Sequence, residues 1–398
     1  MIPQIDKEIG ISIYTTHYPS VKGKIKGNQN DFVVKEVLSE KTINSFNNTE
    51  GHAVYLLKKS GLDTNHALSD IEKRYGLVLK SLGLKDANAQ TEQYVYTYKK
   101  LKPLAKIEGQ KFSLQLIGFT SKPISKKQML GNIFEIKISD LSESLPSFSE
   151  DEKILNFFGY QRFGSRRPIT HLVGKSIVKG EYEKALDYIL SFSSKYDSKK
   201  NNEIRKLISE RKSESEIIDL VPHSMDIERN ILKQLSNDKD PKNAIRAIPL
   251  TMRRFYIQAY QSFLFNKTLS HAYEYEEELF VPIDDDVCFD KNAEIGKFQN
   301  ESTQKLAIPL IGHSYYKKSR FDYYIKKVLE DELLTPKDFF IKDFQEISID
   351  GGFRNSSIKY ENFKIEQNLI KFQLQRGSYA TIVLREILKP DNPLDCGF

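Results

Sequence analysis

The chain has no tryptophan, two cysteines, four methionines and seven histidines in 398 residues. With Cys288 and Cys396 alone, a disulfide framework and a thiolate zinc site are both excluded. The histidines are scattered from His17 to His313 with no pair at ligand spacing, so the sequence implies no metal. No apolar run approaches the roughly 20 residues of a membrane span, and Ala53-Val54-Tyr55-Leu56-Leu57 is typical of the longest. Three glycine signatures are missing: Gly-x-x-x-x-Gly-Lys-Ser/Thr, Gly-x-Gly-x-x-Gly and Gly-x-Ser-x-Gly. Nucleotide-hydrolysing, dinucleotide-binding and α/β-hydrolase readings therefore lack support, and no small-molecule cofactor is called for. The start, Met1 to Glu8, lacks the charged-then-apolar layout of a signal peptide, so the expectation is a soluble, cytoplasmic protein.

Phenylalanine and tyrosine, by contrast, are plentiful. The 24 Phe and 21 Tyr exclude disorder throughout, and a hydrophobic fraction of 39% supports sizeable cores. At roughly 100–200 residues per domain, the length corresponds to two or three domains. The net charge of +6 says little as a total. Its distribution says more. Basic clusters occur at Lys22–Lys26, Lys99–Lys102, Lys126–Lys127, Arg162–Arg167 and Arg253–Arg254, while acidic runs occupy Glu276–Glu278 and Asp284–Asp286. A polyanionic ligand and a plain solvated surface both fit that unevenness.

Up to about residue 60 the pattern reads as strands and loops, with Phe32 to Val37 partly alternating as a half-buried strand does. Asn65 to Tyr75 predicts a short helix that Asp63 or Thr64 caps and Gly76 ends. Strands are expected at Tyr94–Tyr98, Phe112–Leu116 and Phe134–Ile138. Helical stripes follow at Tyr182–Leu190, within the charged Lys199–Leu220, and at Arg254–Leu269. Strands return at Ile370–Leu374 and Tyr379–Leu384. A sheet-rich start, a helical middle and a sheet-rich end predict one domain inserted into another.

Three stretches can carry chemistry. Gly83-Leu84-Lys85-Asp86-Ala87-Asn88-Ala89-Gln90-Thr91-Glu92-Gln93 holds one carboxylate at a loop before a strand. Asp86 there is either a nucleophile or general base kept ionised by a cation such as Lys85, or the pivot of an Asx-turn. Asn156-Phe157-Phe158-Gly159-Tyr160-Gln161-Arg162-Phe163-Gly164-Ser165-Arg166-Arg167 interleaves aromatics, arginines and amides. That mixture suits RNA, because arginine pairs with phosphate, an aromatic face stacks on an extruded base and amides read base edges. A buried aromatic hinge with surface arginines is the alternative. Arg376-Gly377-Ser378-Tyr379-Ala380-Thr381, followed by Arg385-Glu386, reads as a turn into a buried strand with a local ion pair.

Taken in order, these stretches resemble the TruD family of tRNA pseudouridine synthases, in its archaeal and eukaryotic-like form. Gly83 to Gln93 is similar to the family's Gly-x-Lys-Asp-(Lys/Arg)-x-Ala-x-Thr-x-Gln, departing only at Ala87. Asn156 to Gly164 matches its Asn-Tyr/Phe-Phe-Gly-x-Gln-Arg-Phe-Gly in full. Arg376 to Glu386 resembles its closing Gly-Ser-Tyr/Phe-Ala-Thr-x-x-x-Arg-Glu, with Gln375 where a proline is common. Lesser matches are Asp31–Glu36, Gly131–Phe134 and Gln261–Asn266.

The resemblance implies an α+β fold: a pseudouridine synthase-type core with a mixed or antiparallel sheet, residues 1–169 and 346–398, and a mostly helical α+β insert, residues 170–345. It implies that Asp86 is the single catalytic aspartate, either attacking ribose C1′ or abstracting the 2′ proton to give a glycal. Phe158 would stack on the target base, and Asn156 would shape the site. Lys26 would contact phosphate or keep Asp86 charged. Phe32, Glu36, Lys85, Gln161 and Arg162 complete the expected RNA-binding set. The implied substrate is tRNA, typically at uridine 13 of the D-arm, with uridine 35 of the anticodon as the other target. No metal or cofactor is implied, and a monomer is compatible with the chain. A non-catalytic RNA-binding or RNA-chaperone protein on the same fold is the alternative. A methyltransferase would need a glycine-rich cofactor loop that is missing.

Overall fold

Strand Phe32–Leu38 (β1) alternates between buried and half-buried residues, so Phe32, Val34, Glu36 and Leu38 face one way. In the computed structural model, which describes residues 1–47, 50–85, 87, 89–98, 104–210, 214–315 and 319–398, β1 lies inside a mixed sheet. From the first third come β2 (His52–Lys59), β3 (Leu79–Ser81), β4 (Gln90–Thr97), β5 (Lys106–Glu108), β6 (Phe112–Thr120) and β7 (Met129–Lys137). Further along are β8 (Ile154–Leu155), β9 (Val287–Phe289), β10 (Ile295–Lys297), β11 (Lys305–Leu310) and β12 (Gly352–Asn355). The last are β13 (Ser357–Ile358), β14 (Tyr360–Glu366) and β15 (Leu369–Gln375).

Among the described residues, nine strands make the main sheet in the order β14-β15-β7-β1-β4-β2-β6-β5, with β3 beside β4. Only β1 and β4 run parallel; the other pairings are antiparallel. Strands from both ends of the chain therefore lie edge to edge, β7 pairing with β1 on one side and with β15 on the other. That register sets Glu36, Asn132 and Leu374 in one row across three strands. A small sheet of β10-β9-β11-β12 and the pair β8-β13 complete the strands.

Helices α1 (Gln4–Glu8), α2 (Glu40–Ile43) and α3 (Thr64–Tyr75) accompany the first strands. As expected, Asp63 caps α3, its carboxylate accepting from the His66 N–H, and Gly76 ends it in the left-handed conformation. The middle is helical: α4 (Thr170–Val178), α5 (Tyr182–Ser191), α6 (Lys199–Ser209), α7 (Glu214–Ile218), α8 (Asp226–Asp238) and α9 (Pro241–Arg246). They lead to the 25-residue α10 (Leu250–Glu274), and α11 (Asp322–Asp331) follows after the small sheet's first strands. One apolar cluster runs without a break from Phe32, Phe134 and Phe372 on the sheet to Val173, Tyr256 and Ile325 on the helices. A second, with Tyr55, Leu57, Ile71 and Leu114, lies where α3 covers the sheet. The fold is α+β with a mixed sheet, as the resemblance implied.

One expected strand is a helix. Tyr379 is extended and precedes α12 (Ala380–Leu388), which takes in Ala380–Leu384 and is buried at every residue. A short, wholly apolar run enclosed on all sides has no polar face to mark its period, so sequence pattern cannot separate the two states. The preceding turn decides it: Gly377 takes φ +92°, a left-handed conformation open to glycine, and redirects the chain after β15.

α12 also carries the joint between the chain ends. Arg385 is fully enclosed; its Nε donates to Asp6 Oδ2 at 2.6 Å, Nη1 to Glu386 Oε1 at 2.9 Å and Nη2 to the Ile13 carbonyl at 2.9 Å. Asp6 Oδ1 accepts from the Tyr160 hydroxyl at 2.7 Å. Glu386 Oε2 accepts from the backbone N–H groups of Thr15 and Thr16, each at 3.0 Å. The Arg385–Glu386 pair read from sequence is thus one limb of a larger buried network. Replacing Arg385 by methionine leaves two enclosed carboxylates uncompensated, and urea unfolding should show a loss of about 3–5 kcal/mol. Breaking the exposed Lys24–Asp140 pair by Lys24→Ala should leave the same transition nearly where it is in wild type.

Candidate active site

Asp86 itself lies outside the described residues, as does the Lys99–Lys102 cluster. The residues just before Asp86 are held firmly, and each contact is traceable to a buried polar side chain. The Lys85 N–H donates to Thr64 Oγ1 at 2.9 Å. The Lys85 carbonyl accepts from the Thr64 N–H at 3.3 Å and from Lys59 Nζ at 3.3 Å. Gln93 Nε2 donates to the Gly83 carbonyl at 3.3 Å, and Gln93 Oε1 accepts from Thr64 Oγ1 at 3.0 Å. Lys59, Thr64 and Gln93 are all almost fully enclosed. A loop whose backbone groups are satisfied this way has little freedom to drift.

Glu36 closes the clamp from the sheet. Its side chain has no exposed surface; Oε1 stands 2.9 Å from Lys85 Nζ, and Oε2 accepts from the Tyr94 N–H at 2.8 Å. Lys85, 11% exposed at its side chain, is therefore engaged by Glu36, and both act from beneath the loop. On the same strand Phe32 is buried against Phe134, and Lys26 Nζ sits 5.1 Å from the Phe32 ring centroid. Lys26 is placed by the Ile25 N–H, which donates to the Cys396 carbonyl at 2.9 Å.

The second group of candidates gathers around Phe158. Its N–H donates to Asn266 Oδ1 at 2.8 Å, and Asn266 Nδ2 donates back to the Phe158 carbonyl at 3.1 Å, so α10 fixes this segment. The ring meets Phe265 and Tyr379 edge-on, at centroid distances of 5.5 and 6.1 Å. Arg162 flanks it at 5.3 Å. Asn156 is buried, its Nδ2 donating to the Asn355 carbonyl at 3.1 Å. Gln161 Oε1 accepts from Thr381 Oγ1 at 3.1 Å. Gly159 makes this packing feasible, because a Cβ there would come within 2.8 Å of Thr381 Oγ1 and 3.0 Å of Tyr379. Phe158 and Arg162 line a cleft of about 460 Å³ whose other walls include Gln258, Gln261 and Ser262 of α10.

Sequence reasoning missed Arg354. It reaches from β12 to place its guanidinium 3.9 Å from the Phe158 centroid, with Nε on the Asn156 carbonyl and Nη2 on Asn156 Oδ1, both at 2.8 Å. Burial, with the like charge of Arg162, pushes it down to about 10, opposed by Tyr379. The run Gly351-Gly352-Phe353-Arg354-Asn355 repeats in miniature the glycine, aromatic, arginine and amide mixture of Asn156–Arg167, and that was the available signal. The structure therefore brings Lys26 to Phe32, and Glu36 to Lys85, on the sheet. Asn156, Phe158 and Arg162 meet through β12. Residues 375–379 lead from the Glu36–Asn132–Leu374 row to Tyr379 beside Phe158.

Other charged runs have structural employment. Arg167 pairs with Glu228 at 3.1 Å and Arg253 with Glu346. Asp286 is buried and held by Arg320 through both carboxylate oxygens, at 2.9 and 3.0 Å, rather than lying in a solvated loop. Among the described residues no group of acidic, histidine and cysteine side chains could hold a metal, and no helix is long and apolar enough to cross a membrane.

The main sheet thus draws its strands from both chain ends, around a helical middle. A family model described as tRNA pseudouridine synthase D (TruD) matches residues 8–387. The protein named "Probable tRNA pseudouridine synthase D" from Nanoarchaeum equitans is 33% identical over 84% of this chain and 87% of its own length. The protein of that name from Saccharolobus solfataricus is 31% identical over 98% of each chain. The crystal structure of the "Putative tRNA pseudouridine synthase D (TruD)" from Methanosarcina mazei superimposes with a TM-score of 0.73 at 26% identity, covering 99% of both chains. The chain belongs to the TruD family.

The clamp makes a kinetic prediction. Thr64→Val removes the hydroxyl that serves both the Lys85 N–H and Gln93, leaving buried groups unpaired at a local cost of about 1–3 kcal/mol. Steady-state assays should show kcat lowered about tenfold with KM for tRNA nearly unchanged.

Proposed function

We propose that this enzyme isomerises one uridine of a tRNA to pseudouridine, with Asp86 as the catalytic carboxylate. In this reaction the N1–C1′ bond breaks, the uracil turns, and C5 bonds to C1′ while the C5 proton is released and N1 gains one. Atoms and electrons balance within the nucleotide, so no cofactor or second substrate is needed. Asp86 acts on the ribose, at C1′ or at the 2′ proton.

The observation that carries the reading is the clamp on Gly83–Lys85. Four enclosed side chains, Lys59, Thr64, Gln93 and Glu36, secure the backbone or charge of the residues leading into Asp86. A reacting carboxylate needs that kind of preorganised support, whereas a surface Asx-turn does not. In this reading Glu36 and Lys85 are positioning residues, and Lys26 supplies the cation nearest the phosphate path. The target uridine leaves its stack at a cost of a few kcal/mol and meets Phe158. Phe158 and Arg162 both line the cleft in which this reading seats the base. Asn156 shapes that side, and Gln161 holds the start of α12.

Residues 1–169 and 346–398 form the catalytic part in this proposal, and 170–345 form the insert that chooses the RNA. The two parts meet where β12 pairs with β11 and where Phe158 bonds to Asn266 of α10. The family-typical target, uridine 13 in the D-arm, comes first, with uridine 35 second; the enzyme works in the cytoplasm.

Incubation of purified protein with unmodified tRNA transcripts, followed by site-specific pseudouridine mapping without added cofactor, tests this. Wild type should yield product at one position. Asp86→Asn should lower the rate by at least roughly 10²–10⁴-fold while tRNA binding persists. Full activity in Asp86→Asn would overturn the assignment, and binding without product in wild type would leave an RNA-binding protein.

A further inference from the structure

Arg354 is crowded by protein yet keeps some accessible surface, and no carboxylate pairs with it among the described residues. Its three hydrogen-bond partners among the described residues, the carbonyls of Asn156 and Phe157 and the Asn156 side-chain oxygen, are all neutral. Nη1 has no hydrogen-bond partner among the described residues, and the backbone of Gly377 runs past it, a Cβ there standing 3.7 Å away. A second guanidinium, Arg162, flanks the same Phe158 ring at 5.3 Å, with its Nε buried and unbonded. A third cation, Lys305, donates to Gln375 Oε1 at 2.7 Å, and burial with the like charge of Lys359 lowers its proton affinity, opposed by Glu361.

Enclosed cations are normally paired, because an uncompensated buried charge is costly. Here like charges gather and the compensating anion is not supplied by the described chain. One carboxylate, Asp350, lies on the cleft wall; it is mostly exposed and bound to His313 Nε2 at 2.8 Å. Asn156 and the Phe158 face fix the orientation of Arg354, so its remaining N–H edge is presented without further ordering, the geometry in which arginine binds phosphate best.

We propose that Arg354 is the seat for a backbone phosphate of the RNA next to the isomerised nucleotide, with Phe158 and Asn156 serving to aim it. Arg162 and Lys305 add field without being the principal contact. The inference rests on the pseudouridine synthase reading for its ligand, but its test reads binding rather than turnover. A phosphodiester is charged in the ground state, so it compensates the cation from the moment the RNA docks.

Equilibrium binding of an unmodified tRNA transcript as a function of KCl gives the first arm. Loss of one phosphate contact in Arg354→Gln should flatten the slope of log affinity against log salt by about 0.7–0.9. Arg354→Lys, which keeps the charge but not the fork, should retain the wild-type slope. The second arm uses wild-type protein and RNAs carrying a single neutral methylphosphonate at each phosphate flanking the mapped pseudouridine. One position should weaken binding several-fold, and the same substitution should cost Arg354→Gln nothing. An unchanged salt slope in folded Arg354→Gln overturns the seat, as does a wild-type protein indifferent to every flanking methylphosphonate. The second arm still decides if Arg354→Gln fails to fold. Wild type that makes no pseudouridine would sink the functional reading and leave the salt-slope arm to judge the seat alone.

Discussion

The enclosed guanidinium of Arg385 ties together parts of the chain that have no local reason to meet. It links α1 through Asp6, the segment around Ile13 and α12 itself, while Tyr160 reaches the same Asp6 from the Asn156–Gly164 motif. A sheet whose strands come from both chain ends has to close a very long loop, and only contacts of high sequence separation oppose that entropy. Apolar packing along α12 supplies most of the favourable energy. The ion network adds specificity, since every carboxylate oxygen of Asp6 and Glu386 is partnered in this arrangement and would be stranded in a shifted one.

The same division of labour recurs at the site. Many polar side chains in and beside the three motifs point inward and hold their neighbours in place: Gln93 on the Gly83 carbonyl, Asn156 on the Asn355 carbonyl, Glu36 on the Lys85 ammonium, Gln161 on the Thr381 hydroxyl. The motifs are therefore largely a support, and few of their side chains are left to face a substrate. Around Phe158 the balance reverses, and Arg162 and Arg354 have no acidic partner among the described residues. A rigid clamp beside a field of uncompensated cations is a reasonable physical basis for an enzyme that must hold a polyanion and act on one nucleotide of it.

Most strands and helices were legible from pattern. The alternation of Phe32–Val37, the Asp63 cap with its Gly76 stop, and the stripe at Tyr182–Leu190 each matched the element that formed. Tyr379–Leu384 was not, because a fully enclosed apolar run carries no period, and a single left-handed glycine settled its state. The charged clusters were legible only as positions. Arg162 and Arg167 stand five residues apart in one run, yet the first lines a cleft and the second is buried against Glu228.

By itself the sequence determined the secondary-structure periods, the identity and order of the motifs, and the lack of thiol and histidine clusters, because these depend on residues near one another in the chain. Tertiary structure alone decided which charges are compensated. Arg354 meets Asn156 across 198 residues of chain, and that meeting depends on the register of β12 on β11 and on the closure of the main sheet. Local spacing contains neither, since strand register is set by which face becomes buried once the distant partners have docked.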